Sequence, residues 1–195
     1  MKRKRIIVGI SGASGVPIAV EILRFLQSLE QIETHLVVSV GAELTIRQES
    51  FLELEDILSL ADRAYDNREL GAAIASGSFT TSGMIIAPCS MKTLAGIAHG
   101  YSDNLLLRAA DVCLKERRRL VLAVRECPLS SIHLRNMLTL SEMGAVILPP
   151  VLTYYNTPRS LADMTLHIAG KILDMFELDL PGFTRWEPGN QDDHL

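Results

Sequence analysis

The fold is decided by Arg5-Ile-Ile-Val-Gly-Ile-Ser-Gly-Ala-Ser-Gly15. Ile6, Ile7, Val8 and Ile10 form an apolar run of the kind buried on both faces of a parallel sheet, and glycines follow at once. Gly9, Gly12 and Gly15 fall three apart, with Ser11 and Ser14 between them. Glycines let the backbone approach a ligand closely, and the small hydroxyls add donors with little bulk. Pro17 suits the first turn of a helix, and Ala19, Ile22, Leu23 and Leu26 give that helix one apolar stripe. Unpaired N–H groups and the helix dipole both face the turn, so a nucleotide phosphate is expected there. Neither Gly9-Ile-Ser11-Gly-Ala13 nor Gly12-Ala-Ser14-Gly-Val16 has the closing glycine of a nucleophile elbow, so no hydrolase serine is indicated.

A dinucleotide fold wants an acidic residue about 20 residues further on, at the end of the second strand, to hold ribose hydroxyls. Here Glu33-Thr-His-Leu-Val-Val-Ser39 ends on a serine, which suits a phosphate oxygen better. The pattern favours a mononucleotide such as FMN over NAD.

Composition narrows the class. The 195 residues suffice for one well-buried domain, and 48% apolar with 22% charged residues is a globular balance. We read 1–195 as a single FMN-binding domain with a lead-in at 1–4 and a C-terminal tail at 187–195. A formal charge of −4 argues against a nucleic-acid binder. Met1-Lys-Arg-Lys-Arg5 imitates a signal peptide, but cleavage beyond it would destroy the glycine turn. No apolar run approaches the roughly 20 residues of a membrane span. Cys89, Cys113 and Cys127 lack metal-ligand spacing and suit a reducing cytoplasm, where the protein is expected; no metal is.

Further strands are expected at Met84–Cys89, Leu120–Val124 and Ala145–Leu148. Helical patterns precede or follow each, among them one capped by Asp103 and a last one opened by Ser160 and Asp163. Alternating elements of this length predict an α/β protein with a flavodoxin- or Rossmann-like doubly wound parallel sheet in three layers. Ligands of such sheets bind beyond the carboxyl ends of the strands. Past those ends come Gly12 to Gly15, then Ser39 and Glu49, then Ser90 to Thr93, then Arg125 and Glu126, then Tyr154 and Tyr155. That edge carries cations, carboxylates and hydroxyls, which suits a second anion beside the nucleotide. Taken singly these residues have ordinary readings: Glu49 as an exposed helix acid, Arg125-Glu126 as a surface pair, Lys115 as a charge matched to a helix end.

Gly9-Ile-Ser-Gly-Ala-Ser-Gly15, Pro88-Cys-Ser-Met-Lys-Thr93, Arg108-Ala-Ala-Asp111 with Leu114-Lys-Glu-Arg117, Val124-Arg-Glu126 with Pro128-Leu129, and Gly144-Ala-Val-Ile-Leu-Pro-Pro150 occur in this order. The set resembles the flavin prenyltransferases, the UbiX family, with the related accessory subunits of phenolic-acid decarboxylases. The resemblance runs from about Arg5 to Trp186. It implies a metal-independent enzyme that joins the dimethylallyl group of dimethylallyl phosphate to N5 and C6 of reduced FMN. The prenylated FMN then serves a UbiD-type decarboxylase. By matching position it implies flavin contacts from Gly12, Ala13, Ser14, Ser39, Ser90, Met91, Lys92, Thr93 and Arg125. Prenyl phosphate would be held by Lys115, Arg125, Tyr155 and Lys171, with Glu49, Glu126 and Ser14 in the chemistry. It also implies a homo-oligomer, commonly a dodecamer, in which Lys115 and Arg125 serve a neighbour's substrate.

This chain departs from the family at Val16-Pro-Ile-Ala19, which alters how the first helix begins, and at Lys171, where several members have arginine. Lysine keeps the charge but lacks the bidentate fork. Two other readings share the FMN site: a cysteine-decarboxylating flavoprotein, and a non-enzymatic flavin carrier that docks on a decarboxylase. Cysteine decarboxylases resemble Pro-Ala-Ser-Ala-Asn-Thr where this chain has Pro88-Cys-Ser-Met-Lys-Thr93. No residue selects the downstream pathway.

Overall fold

The structure is a computed structural model and describes residues 3–186; Met1, Lys2 and the tail at 187–195 lie outside the described residues. Six strands, β1 (Lys4–Ile10), β2 (Ile32–Val38), β3 (Arg63–Tyr65), β4 (Gly83–Cys89), β5 (Arg119–Val124) and β6 (Val146–Ile147), pair in parallel. Their order is β3-β2-β1-β4-β5-β6. Seven helices connect or flank them: α1 (Val16–Gln27), α2 (Val40–Glu49), α3 (Leu54–Leu58), α4 (Met91–Ala98), α5 (Leu105–Lys115), α6 (Ser131–Glu142) and α7 (Leu161–Asp174).

The apolar strand runs explain the three layers. Side chains alternate along β1, so Ile6, Val8 and Ile10 enter the core shared with α1 and α7, while Ile7 enters the core shared with α4 and α5. β4 does the same, with Ile85 on the first side and Met84 and Ile86 on the second. Each such fully buried side chain contributes about 1.5–3 kcal/mol. Gly9 leaves room on the second side, where a Cβ would lie 3.4 Å from Leu106 of α5 and 3.1 Å from Met84.

The direction of winding reverses between β1 and β4, which opens a crevice above their carboxyl ends. The five strands expected from sequence stand in flavodoxin order. β3 is a sixth, beside β2, and makes the whole sheet Rossmann-like in order. Three residues are too few to show an alternation, so this edge strand has no period to read. Asn104, not Asp103, caps α5, accepting from Leu107 N at 3.1 Å.

Four helices end in one arrangement, in which the N–H just after a left-handed residue returns to the carbonyl five residues before it. The bonds are Tyr101 N to Gly96 O, Arg118 N to Cys113 O, Ala145 N to Leu140 O and Leu178 N to Leu173 O. The left-handed position is Gly100 in α4 and Gly144 in α6, but Arg117 (φ 56°) in α5 and Glu177 (φ 60°) in α7.

Candidate active site

Three chain turns meet at the crevice, and hydrogen bonds hold them there. Ser11 is fully buried. Its hydroxyl donates to Pro88 O (2.9 Å) and accepts from Ser90 N (2.8 Å). Ser90 then caps α4, accepting from Thr93 N at 3.3 Å. Ser39 caps α2 in the same way, accepting from Ala42 N at 3.2 Å, while its own N–H donates to Ile10 O. Gly12 lies against Gly41, so that a Cβ on Gly12 would stand 2.8 Å from the Gly41 carbonyl carbon. Only glycine permits that approach.

The result is a cavity of about 590 Å³ lined by Gly12, Ser39, Val40, Gly41, Asn67, Arg68, Ser90, Met91, Lys92, Thr93, Asp103, Asn104, Leu106, Leu107 and Glu126. The amino ends of α2 and α4 both open on it, which makes it an anion-binding place. A larger hollow of about 760 Å³ lies at the opposite edge of the sheet, among the carboxyl ends of α5, α6 and α7. Arg117, Arg118 and Arg119 complement those helix ends, and the hollow faces carboxyl ends of helices rather than the amino ends that attract an anion.

At the first glycine turn Gly15 N donates to Glu49 Oε2 at 2.9 Å, so one N–H of the turn expected to face an anion is engaged by the chain's own carboxylate. The amino ends of α2 and α4, together with Lys92, offer further donors to a ligand's anion. Glu49 is thereby tied to the turn that carries Ala13 and Ser14.

Arg125 and Glu126 follow β5, and Arg125 N donates to Cys89 O (3.0 Å), joining this turn to the β4 end. Glu126 lines the cavity, and one of its carboxylate oxygens accepts Cys127 N at 3.0 Å. Burial pushes the Cys89 and Cys113 thiols up to about 12, so neither is an available thiolate near neutral pH. Among the described residues no three His, Cys, Asp or Glu side chains gather as a metal site.

Other expected residues lie elsewhere in the chain. Lys115 ends α5 at the amino edge of the sheet, paired with Glu116 and packed over Gly77. Tyr155 and Lys171 belong to the α7 side: the Tyr155 hydroxyl is 3.3 Å from His167 Nε2, and Lys171 pairs with Asp174 at 3.2 Å. One chain thus brings Gly12, Ser39, Ser90, Met91, Lys92, Thr93 and Glu126 together, and does not bring Lys115, Tyr155 or Lys171 to them.

Sequence reading passed over Asn67, Arg68 and Asn104. Asn67 accepts Leu106 N at its side-chain oxygen (2.9 Å) and Leu105 N at its carbonyl (2.8 Å), and so anchors the start of α5 at the cavity rim. Asp66-Asn67 is legible only as a turn; its partner lies 39 residues away.

The profile of the flavoprotein family matches residues 1–172. A probable UbiX-like flavin prenyltransferase of Sedimentibacter hydroxybenzoicus is 53% identical over 97% of this chain and 100% of its own length. A dodecameric FMN-dependent UbiX-like decarboxylase from Escherichia coli O157:H7 superposes with TM-score 0.93 at 49% identity, covering 94% of this chain and 99% of that one. AnUbiX, solved with FMN and dimethylallyl pyrophosphate, gives TM-score 0.93 at 47% identity, over 95% and 98% of the two chains. The cysteine decarboxylase TvaF, at TM-score 0.60 and 17% identity over 73% of this chain and 88% of its own, shares the fold alone. With the crevice built as described and likeness running through nearly all of its length, the chain belongs to the UbiX flavin prenyltransferase family of flavoproteins.

Proposed function

We propose that this protein transfers a dimethylallyl group from dimethylallyl phosphate to N5 and C6 of reduced FMN, and that the prenylated flavin serves a UbiD-type decarboxylase. The observation that carries the reading is the cavity of about 590 Å³ where two capped helix ends meet under a glycine–glycine contact, in a member of this family.

The residues present suit FMN. Gly12 and Gly41 leave no side chain in the way of a flat ring system, and Ser39, Ser90, Met91, Lys92 and Thr93 supply donors and one positive charge for a phosphate. Ala13, Ser14 and Arg125 complete the set that would hold the flavin. Reduced FMN, when bound, supplies the electron-rich ring that takes up the prenyl carbons.

The chain's own side chains do the rest. A departing phosphate needs positive donors already in place, which act most strongly where water is excluded. Lys115, Arg125, Tyr155 and Lys171 fill that role without a metal. Because one chain keeps them apart, the site is completed between subunits, in a homo-oligomer that we take to be a dodecamer. Glu49 has one oxygen fixed by Gly15 N–H, which leaves the other for a proton. Glu126, similarly fixed through Cys127 N–H, faces the cavity. Ser14, in the turn that Glu49 holds through Gly15 N–H, would relay a proton.

We read the described chain and its tail as one FMN-binding domain of a cytoplasmic enzyme. No helix among the described residues is long and apolar enough to cross a membrane.

The test is anaerobic incubation with reduced FMN and dimethylallyl phosphate, followed by mass analysis of the flavin. A gain of five carbons, and activation of a UbiD-type decarboxylase by the product, is expected. Unchanged FMN on protein shown to bind it overturns the reading. Turnover of a peptidyl or pantothenoyl cysteine instead means cysteine decarboxylation, and decarboxylase activation without prenyl donor means a carrier.

A further inference from the structure

Tyr155 leans on α7 within a small aromatic cluster. Its ring meets His167 edge-on (centroids 5.6 Å, 81°) and Trp186 edge-on (5.4 Å, 87°). Phe183 packs on the other side of His167 at 5.1 Å. His167 is buried, 6% exposed, whereas Tyr155 is 44% exposed. The phenol oxygen stands 3.3 Å from His167 Nε2, and the buried Nδ1 has no partner among the described residues.

That asymmetry selects the tautomer. A proton on Nδ1 would be a buried donor with nothing to bond. A proton on Nε2 leaves only an unpaired acceptor and donates to Tyr155, the cheaper arrangement. Burial, with the Lys171 charge one turn along α7, lowers the His167 pKa and keeps the ring neutral near neutral pH. With Nε2–H aimed at the phenol oxygen, the phenol's own proton is left to point away from the cluster.

We propose that His167 is a positioning residue that fixes Tyr155 as an outward hydrogen-bond donor to the phosphate of the prenyl substrate. The proposal rests on the prenyl-transfer reading for the identity of that phosphate. Lys171 stands four residues after His167, one turn along α7 from the histidine that holds the Tyr155 hydroxyl. Its partner Asp174 also accepts from Arg185 and keeps that neighbour when Lys171 turns to a phosphate. A donor chained to a second donor is polarised by it, which strengthens its bond to an anion.

Two measurements test this. Imidazole ¹⁵N shifts of the FMN-loaded protein should report the neutral Nε2–H tautomer at His167; the Nδ1–H tautomer overturns the proposal. In rates of flavin prenylation, His167→Phe, which keeps the ring contacts, should raise the KM for dimethylallyl phosphate roughly tenfold with little change in kcat. His167→Gln, whose amide N–H reaches the same oxygen, should restore most of that loss. In a Tyr155→Phe background His167→Phe should add nothing, and an equal loss in both backgrounds overturns the proposal. If the wild type makes no prenylated flavin, the function proposed above fails, while the tautomer still decides this inference.

Discussion

Ser11 Oγ accepts the Ser90 N–H at 2.8 Å while donating to Pro88 O at 2.9 Å, so the turns after β1 and β4 form one hydrogen-bonded unit. These are the strands between which the sheet changes winding direction, 79 residues apart in sequence. Ser11→Ala would leave the Ser90 N–H short of a partner, at about 1–3 kcal/mol, while Pro88 O keeps the Ser11 N–H at 3.2 Å. We expect a urea midpoint lowered accordingly and FMN affinity, read by flavin fluorescence, weakened about tenfold. Unaltered affinity would mean that the two turns hold their places without the clip.

Glu49 is the second such link, between Gly15 and the end of α2. Glu49→Gln keeps a carbonyl oxygen for Gly15 N–H, so fold and FMN binding should persist. Flavin prenylation should slow about 10²–10⁴-fold if a proton-transfer group has been removed. Glu126→Gln should behave alike. A wild-type rate in either variant would make that carboxylate a cap and nothing more.

Arg117 and Glu177 hold left-handed backbone at the ends of α5 and α7, where α4 and α6 use glycine. Arg117→Gly and Glu177→Gly should each stabilise the protein by about 0.5–1 kcal/mol in chemical denaturation. The two effects should add, because they belong to separate helix ends.

His35 is fully buried, with Nδ1 2.8 Å from the Tyr65 hydroxyl and Nε2 3.3 Å from Glu33, off the direction of a hydrogen bond. Burial lowers its pKa below 6.5, and Glu33 only partly opposes this. As pH falls the unfolded chain therefore takes up this proton before the folded one does. The His35 contribution is complete above about pH 6.5 and is lost as pH drops toward the lowered value. Burial pushes Glu33 up, but the Arg5 hydrogen bond and nearby charges leave it below 4.5. Its contribution disappears later, as pH falls through that lowered value. Unfolding free energy should decline from pH 7 to 5 in the wild type, and His35→Gln should make that decline shallower, leaving the part that buried His167 contributes.

Lys171→Ala removes a charge from the proposed phosphate site. Its main effect should be a KM for dimethylallyl phosphate raised roughly tenfold, with FMN binding unchanged. Lys171→Arg, which supplies a fork in place of a point charge, should lower KM if the lysine limits affinity.

Local signals made much of this protein legible. Apolar runs bounded by Gly9, Ser39, Ser90 and Arg125 marked the long strands, because a strand buried on both faces has few other compositions open to it. Ser160 was readable as a helix start for the same kind of reason, since a cap reaches only three residues, and the cap expected at Asp103 lies one residue on, at Asn104. Which cap faces a ligand was not local. Gly15 meets Glu49 across 34 residues and Asn67 meets Leu106 across 39, through the order of strands that no stretch of chain encodes alone. The same holds for Lys115, Tyr155 and Lys171, which motif order groups into one list. Folding sends α5 down one face of the sheet and α7, with Tyr155 against it, down the other, so a single chain holds Lys115 apart from Tyr155 and Lys171. Sequence determines which side chains are available, because propensity and polarity belong to residues. Tertiary structure decides which of them share a cavity, because that depends on how the strands are ordered and which face each helix covers.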